Sequence, residues 1–295
     1  MAISRIDFRP TAQGGDNGTA ALMKLDQNCA DLDLRLSPVE AIVVAQGGRS
    51  LLLNGDLRVN QAAFAGGAMG ANTYGYDMWR TVGAGATFAL SSDRTTITLT
   101  GTIAQVLETP DIANATVTVS VWNPSAPITV KLQPDGSTAT TATGTIPAGA
   151  GKQSVTLVVP SSLTSNVFML LSTAGATSFD GPAKRRGVQL ELGSFATNFE
   201  RRHIAVELAA AQRYYEAGRQ NADFYMIANQ TATFTASFKV QKRAVAAINA
   251  AYSYTANSFN GIADNITVNG FRYGAAATAS GLTAFALNWT ADARL

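Results

Sequence analysis

The side chains that carry most enzyme chemistry are nearly absent from this sequence. Its 295 residues include one cysteine, Cys29, and one histidine, His203. Zinc sites draw on Cys and His in sets of three or four, so a zinc centre of that kind is excluded. A Ser-His-Asp triad would have to use His203. That residue stands in "ERRHIAVEL", just before a helical pattern, where a structural role is the simpler reading. Glycoside hydrolysis needs two carboxylates flanking a groove. Asp77, Asp93, Glu108, Asp111 and Asp180 are scattered, with no spacing that brings a pair together. What remains is non-covalent recognition by aromatic faces and planar polar groups. Tyr74, Tyr76, Trp79 and Trp122 are the central candidates. Trp122 ends "TVTVSVW" just before the turn "NPSAP" and is expected at a rim, whereas Trp79 reads as packing material.

Composition narrows the partners. The chain is 46% hydrophobic and 14% charged, with a net charge of +2. Its basic runs are short: Arg185-Arg186 with Lys184 before it, Arg201-Arg202 and Lys242-Arg243. A surface that tracks nucleic-acid phosphates needs a clustered basic face, so nucleic acid is not an expected partner. "MAISRIDFRP" has no apolar core of the kind a secretory signal carries, so synthesis in the cytoplasm without an export address is expected. No stretch approaches the ~18 apolar residues of a membrane span, and no membrane insertion is expected.

The elements that must position these side chains fall into four segments. Residues 1–48 begin with turn chemistry in "RPTAQGGDNG" and then change period. Leu22, Leu25, Cys29, Leu32, Leu36, Val39 and Val43 are spaced 3, 4, 3, 4, 3, 4, which is an a/d heptad seam. Ser37-Pro38-Val39-Glu40 is a capping box with proline at the first helical position, so one helix ends near Leu36 and another starts at Pro38. The seam packs either on its own domain or on other copies, and the absence of an obvious intramolecular partner favours self-association. Residues 49–203 read as β: "LLLNGDLRV", "RTTITLTG", "TVTVSVW", "ITVKL", "SVTLVV", "VFMLL" and "VQLELG" are separated by Pro/Gly/Asn/Ser turns. That spacing predicts an antiparallel β-sandwich or jelly roll whose closing strand, ended by Gly193, pairs with the opening one. Residues 204–218 read as a connecting helix with Ile204, Leu208, Ala211 and Tyr215 on one face and Gly218 at its end. Residues 219–295 return to β as a small C-terminal sandwich, with Phe234, Ala236, Phe238 and Val240 on one side of "ATFTASFKV" and with "SFNGIADN" and "NGFRYG" as turns. The fold class is therefore mainly β, with short coiled-coil-like helices at the N-terminus.

The order "LLLNGDLRVNQ", Tyr74–Trp79, "VQLELGSFATNFERR", "ELAAAQRYYE" resembles a family of bacteriophage tail fibre or tail-tip receptor-binding proteins that carry a carbohydrate-binding-module-like jelly roll. "NWTADARL" is similar to the terminal strand of the β domain that ends many such fibres. This sequence departs from the family pattern at Asn198, where proline is usual, at Met78, where arginine is usual, and at Ala210-Ala211, where Leu-Cys is usual. The resemblance implies a non-enzymatic virion protein that is a homotrimer. It implies contacts with other tail or baseplate proteins through the N-terminus and with a host surface glycan or envelope protein at the distal end. A purely structural fibre-base or head-decoration role, or an isolated non-catalytic carbohydrate-binding module, is the alternative. The resemblance places receptor contacts in the C-terminal segment, where Tyr252, Tyr254, Phe259 and Tyr273 stand in sequence that reads as loop. It also implies a structural calcium near the opening and closing strands, with Asp56 and Glu191 as oxygen donors. Asn54-Gly55-Asp56 reads equally as ordinary turn chemistry.

Overall fold

The computed structural model describes residues 50–294 apart from 109, 136, 138, 140, 261 and 262. The heptad residues Leu22 to Val43 lie outside that range.

Residues 50–200 form an antiparallel β-sandwich. Its strands are β1 (Gly67–Met69), β2 (Arg80–Thr81), β3 (Ala86–Leu90), β4 (Thr96–Leu107), β5 (Thr116–Trp122), β6 (Ile128–Pro134), β7 (Ala142–Ile146), β8 (Lys152–Val158), β9 (Val167–Asp180) and β10 (Gln189–Leu192). One sheet has the order β1-β3-β4-β9-β6-β7, with β2 also on β4; the other is β10-β5-β8. From β4 onward the chain crosses between the sheets at nearly every connection, as in the jelly roll that the turn spacing predicted. The alternation that predicted the strands also fills the core. Leu99, Ile103, Val119, Val130, Leu171 and Phe179 are fully buried between the sheets, each stabilising the fold by about 1.5–3 kcal/mol. On the outward face, β4 and β9 carry threonine and serine at one end, as at Thr102, whose hydroxyl bonds that of Ser172 at 2.8 Å, and a second buried cluster of Ala104, Val106, Phe168 and Leu170 at the other.

The opening stretch "LLLNGDLRV" is irregular rather than the expected strand. Asn54 and Leu57 both have positive φ, 53° and 56°. Asn54 makes this turn pay its way: its side chain accepts the Val59 N–H at 2.8 Å and donates to the Val59 carbonyl at 2.7 Å. It still meets the closing strand. The Leu51 N–H donates to the Leu190 carbonyl at 2.8 Å, and the Val188 N–H to the Gly55 carbonyl at 2.9 Å. Gly193, with φ of 99°, ends β10.

Helix α1 (Ile204–Gln212) starts on His203, whose Nδ1 accepts the Ala205 N–H at 3.3 Å. That is an N-cap role. The helix stops at Gln212, six residues before the predicted end at Gly218. Ile204 and Val206 are exposed, and the buried face is Glu207 and Ala211. Tyr215 and Gly218 belong to strand instead.

The C-terminal part is a second, smaller sandwich of β11 (Tyr215–Met226), β12 (Thr231–Ser237), β13 (Ala247–Ala256), β14 (Ser258–Asn260), β15 (Gly270–Ala277) and β16 (Gly281–Asp292). Its two sheets are β11-β16-β13 and β12-β15-β14, all antiparallel. The stretches "SFN" and "GFRYG", expected as turns, are strands β14 and β15. Phe234, Ala236 and Phe238 enter the core as the alternation predicted. They meet an aromatic cluster in which Phe285 lies edge-on to Tyr252 and Tyr273, at 5.6 and 5.7 Å between centroids.

Candidate binding site

Three places gather polar and aromatic side chains: the latch that closes the first sandwich, the joint between the two sandwiches, and the rim at Trp122.

The latch accounts for the motif "VQLELGSFATNFERR". Gln189 and Glu191 alternate outward from β10 and hold the following loop back over the sheet. The Gln189 side chain accepts the Glu200 N–H at 2.6 Å, and the Glu191 carboxylate accepts the Thr197 N–H at 3.0 Å and the Thr197 hydroxyl. Arg202 then donates to the Ser50 and Leu52 carbonyls and pairs with Glu207 at 3.6 Å. Glu207, nearly fully buried, also accepts the Asn54 N–H. Asp56 lies between Arg58 and Arg201, at 2.5 and 3.7 Å. Of the two acids named for calcium, Asp56 pairs with two guanidinium groups and Glu191 bonds Thr197. No group of three Cys, His, Asp or Glu side chains is arranged for a metal among the described residues. The cavity left at the latch measures about 10 Å³, room for roughly one water molecule and not for a sugar.

The joint is built on Glu108 at the end of β4. Its carboxylate accepts from the Tyr214 hydroxyl at 2.9 Å and from Arg213 at 3.1 Å, and Arg243 lies 3.7 Å away. Partial burial pushes the Glu108 carboxyl up, but the Tyr214 hydroxyl and the two arginines outweigh it and hold the group below the usual range. Gln61 bridges the two sandwiches, donating to Asp77 at 2.7 Å and to the Tyr215 carbonyl at 2.7 Å. Burial raises the carboxyl of Asp77, against the bonds from Gln61. The Arg294 guanidinium stacks between Tyr74 and Tyr215, 4.0 and 4.2 Å from their ring centres.

The joint and the cores absorb most of the predicted aromatic candidates. Tyr74 is half-buried under Arg294 and Arg80 rather than open to a ligand. Tyr76 is in the core, edge-on to Phe64 and Phe88. Trp79 is fully buried, with Nε1 donating to the Asn54 carbonyl at 2.9 Å. Tyr273 lies on β15, only 4% exposed and stacked on Phe234. Tyr252 lies on β13, half-buried, with its hydroxyl donating to the Gly274 carbonyl at 2.5 Å. Neither is a loop residue; the Tyr-Ser-Asn-Gly composition that read as loop belongs to strands. Tyr254 and Phe259 likewise stand on strands β13 and β14.

Trp122 is different. It is the half-buried last residue of β5, and the Arg186 guanidinium lies over its ring at 3.5 Å from the centroid. Lys152, its cross-strand partner on β8, places Nζ 6.0 Å from the same ring. Lys152 also donates to the Ala196 and Thr197 carbonyls. Lys184 pairs with Asp180 at 2.7 Å, and Asp180 also accepts from Asn123 at 2.7 Å. Arg185, in the left-handed region with φ of 57°, is exposed. The sequence showed the pair Arg185-Arg186 and the rim position of Trp122 separately. Their meeting depends on β5, β8 and the turn before β10, which no local pattern reveals.

No family model matches the chain, and no curated protein matches it. Solved structures overlap it in part. A CBM4 module is 18% identical over 48% of this chain and 98% of its own, with a TM-score of 0.29. TmCBM61, solved in complex with beta-1,4-galactotriose, is 13% identical over 49% of this chain and 99% of its own, with a TM-score of 0.26. Discoidin II from Dictyostelium discoideum is 10% identical over 71% of this chain and 81% of its own, with a TM-score of 0.22. Scores this low carry no weight; the sandwich architecture rests on its own strand order and register.

Proposed function

We propose that this chain is a non-catalytic adhesion protein, a bacteriophage tail fibre or tail-tip component that engages a glycan on the host surface. The observation that carries the reading is the Trp122 rim. Of the three tryptophans, Trp79 and Trp289 are buried in the two cores, and Trp122 alone reaches the surface, among basic side chains. The succession of sequence motifs from "LLLNGDLRVNQ" to "ELAAAQRYYE" supports the fibre assignment.

In this reading the protein is a homotrimer made in the host cytoplasm and carried on the virion. Residues 1–48 join the three copies and attach them to other tail or baseplate proteins. Three modest sites on one particle raise avidity without any single site being tight. No reaction and no cofactor belong to the role.

Binding of the purified full-length protein to host cells tests it. Cells stripped of surface polysaccharide are expected to lose the protein, and Trp122→Ala is expected to weaken binding about tenfold or more with little change in melting temperature. Undiminished binding to stripped cells, or by the variant, overturns the glycan assignment.

A further inference from the structure

Resting on that glycan-binding reading, we propose that the Trp122 rim selects an acidic saccharide, with a uronate or sialate carboxylate held by the Arg186 guanidinium. One face of the indole is already occupied by an arginine. Arg186 lies 3.5 Å above the ring centroid, a van der Waals separation that a guanidinium reaches only when it lies flat. A flat guanidinium keeps its edge N–H donors in one plane, the geometry that accepts a carboxylate through two parallel hydrogen bonds. Stacking also fixes the long side chain beforehand, which lowers the entropy cost of binding.

Arg186 stands apart from most of its kind here. Arg58, Arg201, Arg202, Arg213, Arg243, Arg272 and Arg294 each lie against an aspartate or glutamate. Arg186 has no carboxylate partner among the described residues, and neither does Arg185. The backbone holds Arg186 in place from both sides. Its N–H donates to the Gly181 carbonyl at 3.2 Å, and Gly187 follows it, packed so close to the Gly55 carbonyl that no side chain fits there. A second cation stands by the stack, Lys152 with Nζ 6.0 Å from the ring, while Lys184 is paired with Asp180. Two cations at one rim attract an anion and speed its encounter, and so small a site suits one acidic residue of a glycan rather than a phosphate backbone.

The test uses full-length protein and three probes: a glucuronate-bearing oligosaccharide, its methyl ester and the neutral glucose analogue. Calorimetric titration is expected to show the acid binding about tenfold tighter than the ester. Arg186→Gln is expected to remove that preference, and Arg186→Lys to restore only part of it, with melting temperatures unchanged. Equal binding of acid and ester overturns the inference while leaving the glycan reading intact. Acid preference that survives in Arg186→Gln overturns it too, as does equally tight binding of a duplex DNA of matched charge, the mark of a general polyanion surface. If none of the three probes binds, the inference falls, and the host-cell assay then decides the broader reading alone.

Discussion

Gly218 and Trp289 face each other across β11 and β16, and a β-carbon at position 218 would fall inside the indole. The ring uses that space to lie edge-on to Phe271 at 5.5 Å in the second core. Gly218→Ala is therefore expected to destabilise the protein by about 1–3 kcal/mol through overpacking. Trp289→Leu combined with it should cost less than the sum of the two single changes. Chemical denaturation of the four proteins checks this, and simple additivity would remove the explanation. The sequence invited a different reading of Gly218. After "ELAAAQRYYEA" a glycine looks like a helix C-cap, because local propensity says nothing of a tryptophan more than seventy residues away. The same blindness affected Tyr252 and Tyr273. Tyrosine among Ser, Asn and Gly has the composition of a surface loop, and only strand pairing reveals that both rings turn inward. His203 was legible for the opposite reason, since its N-cap role depends on a residue two positions on.

Between elements, the end of β4 and the start of β11 meet through one ionised carboxylate. Glu108 has its folded pKa held below the unfolded value by Tyr214, Arg213 and Arg243 acting against burial. Its contribution is then present above the ordinary glutamate range and lost as pH falls through the lowered value. At neutral pH, Glu108→Gln is expected to melt below the wild type by about 1–4 °C. The gap should close on acidification. Asp77, held up by burial, works in the opposite direction and favours the folded state as pH falls. The difference between wild type and variant cancels it. A gap that persists at low pH would show that Glu108 acts by shape and not by charge. At this scale the sequence was readable where strands alternate valine or isoleucine with threonine, as in β4, β5 and β6. It was not readable where side chains stand in for backbone pairing. The stretch "LLLNGDLRV" carries a strand's composition, yet Asn54 folds it into a turn by bonding Val59. "VQLELGSFATNFERR" was recognisable as a motif. Its purpose, a latch in which Gln189 and Glu191 hold the loop on β10 and Arg202 ties it to the opening segment of the sandwich, rests on contacts up to about 150 residues apart in sequence.

For the whole molecule, the fibre reading requires more than one copy. The 30.8 kDa chain is expected to sediment or scatter light as a trimer in solution. Leu25→Asp with Leu32→Asp, on the heptad seam, should release monomers in which residues 50–294 keep their circular dichroism. A wild-type monomer at concentrations where a coiled coil forms would remove the avidity argument and leave a single-site module. The second sandwich has a schedule written into its strand order. β16 is the middle strand of the sheet β11-β16-β13, and both neighbours pair with nothing else in that sheet. β11 therefore emerges from the ribosome and waits about 55 residues for its partner, which is several seconds at ordinary rates of synthesis. Throughout that interval the aromatic side of β11 and β13 has no sheet to close it. A nascent chain stalled before Gly281 would present those strands to other nascent chains on the same message, so the speed of translation through the final strand bears directly on the yield of folded protein.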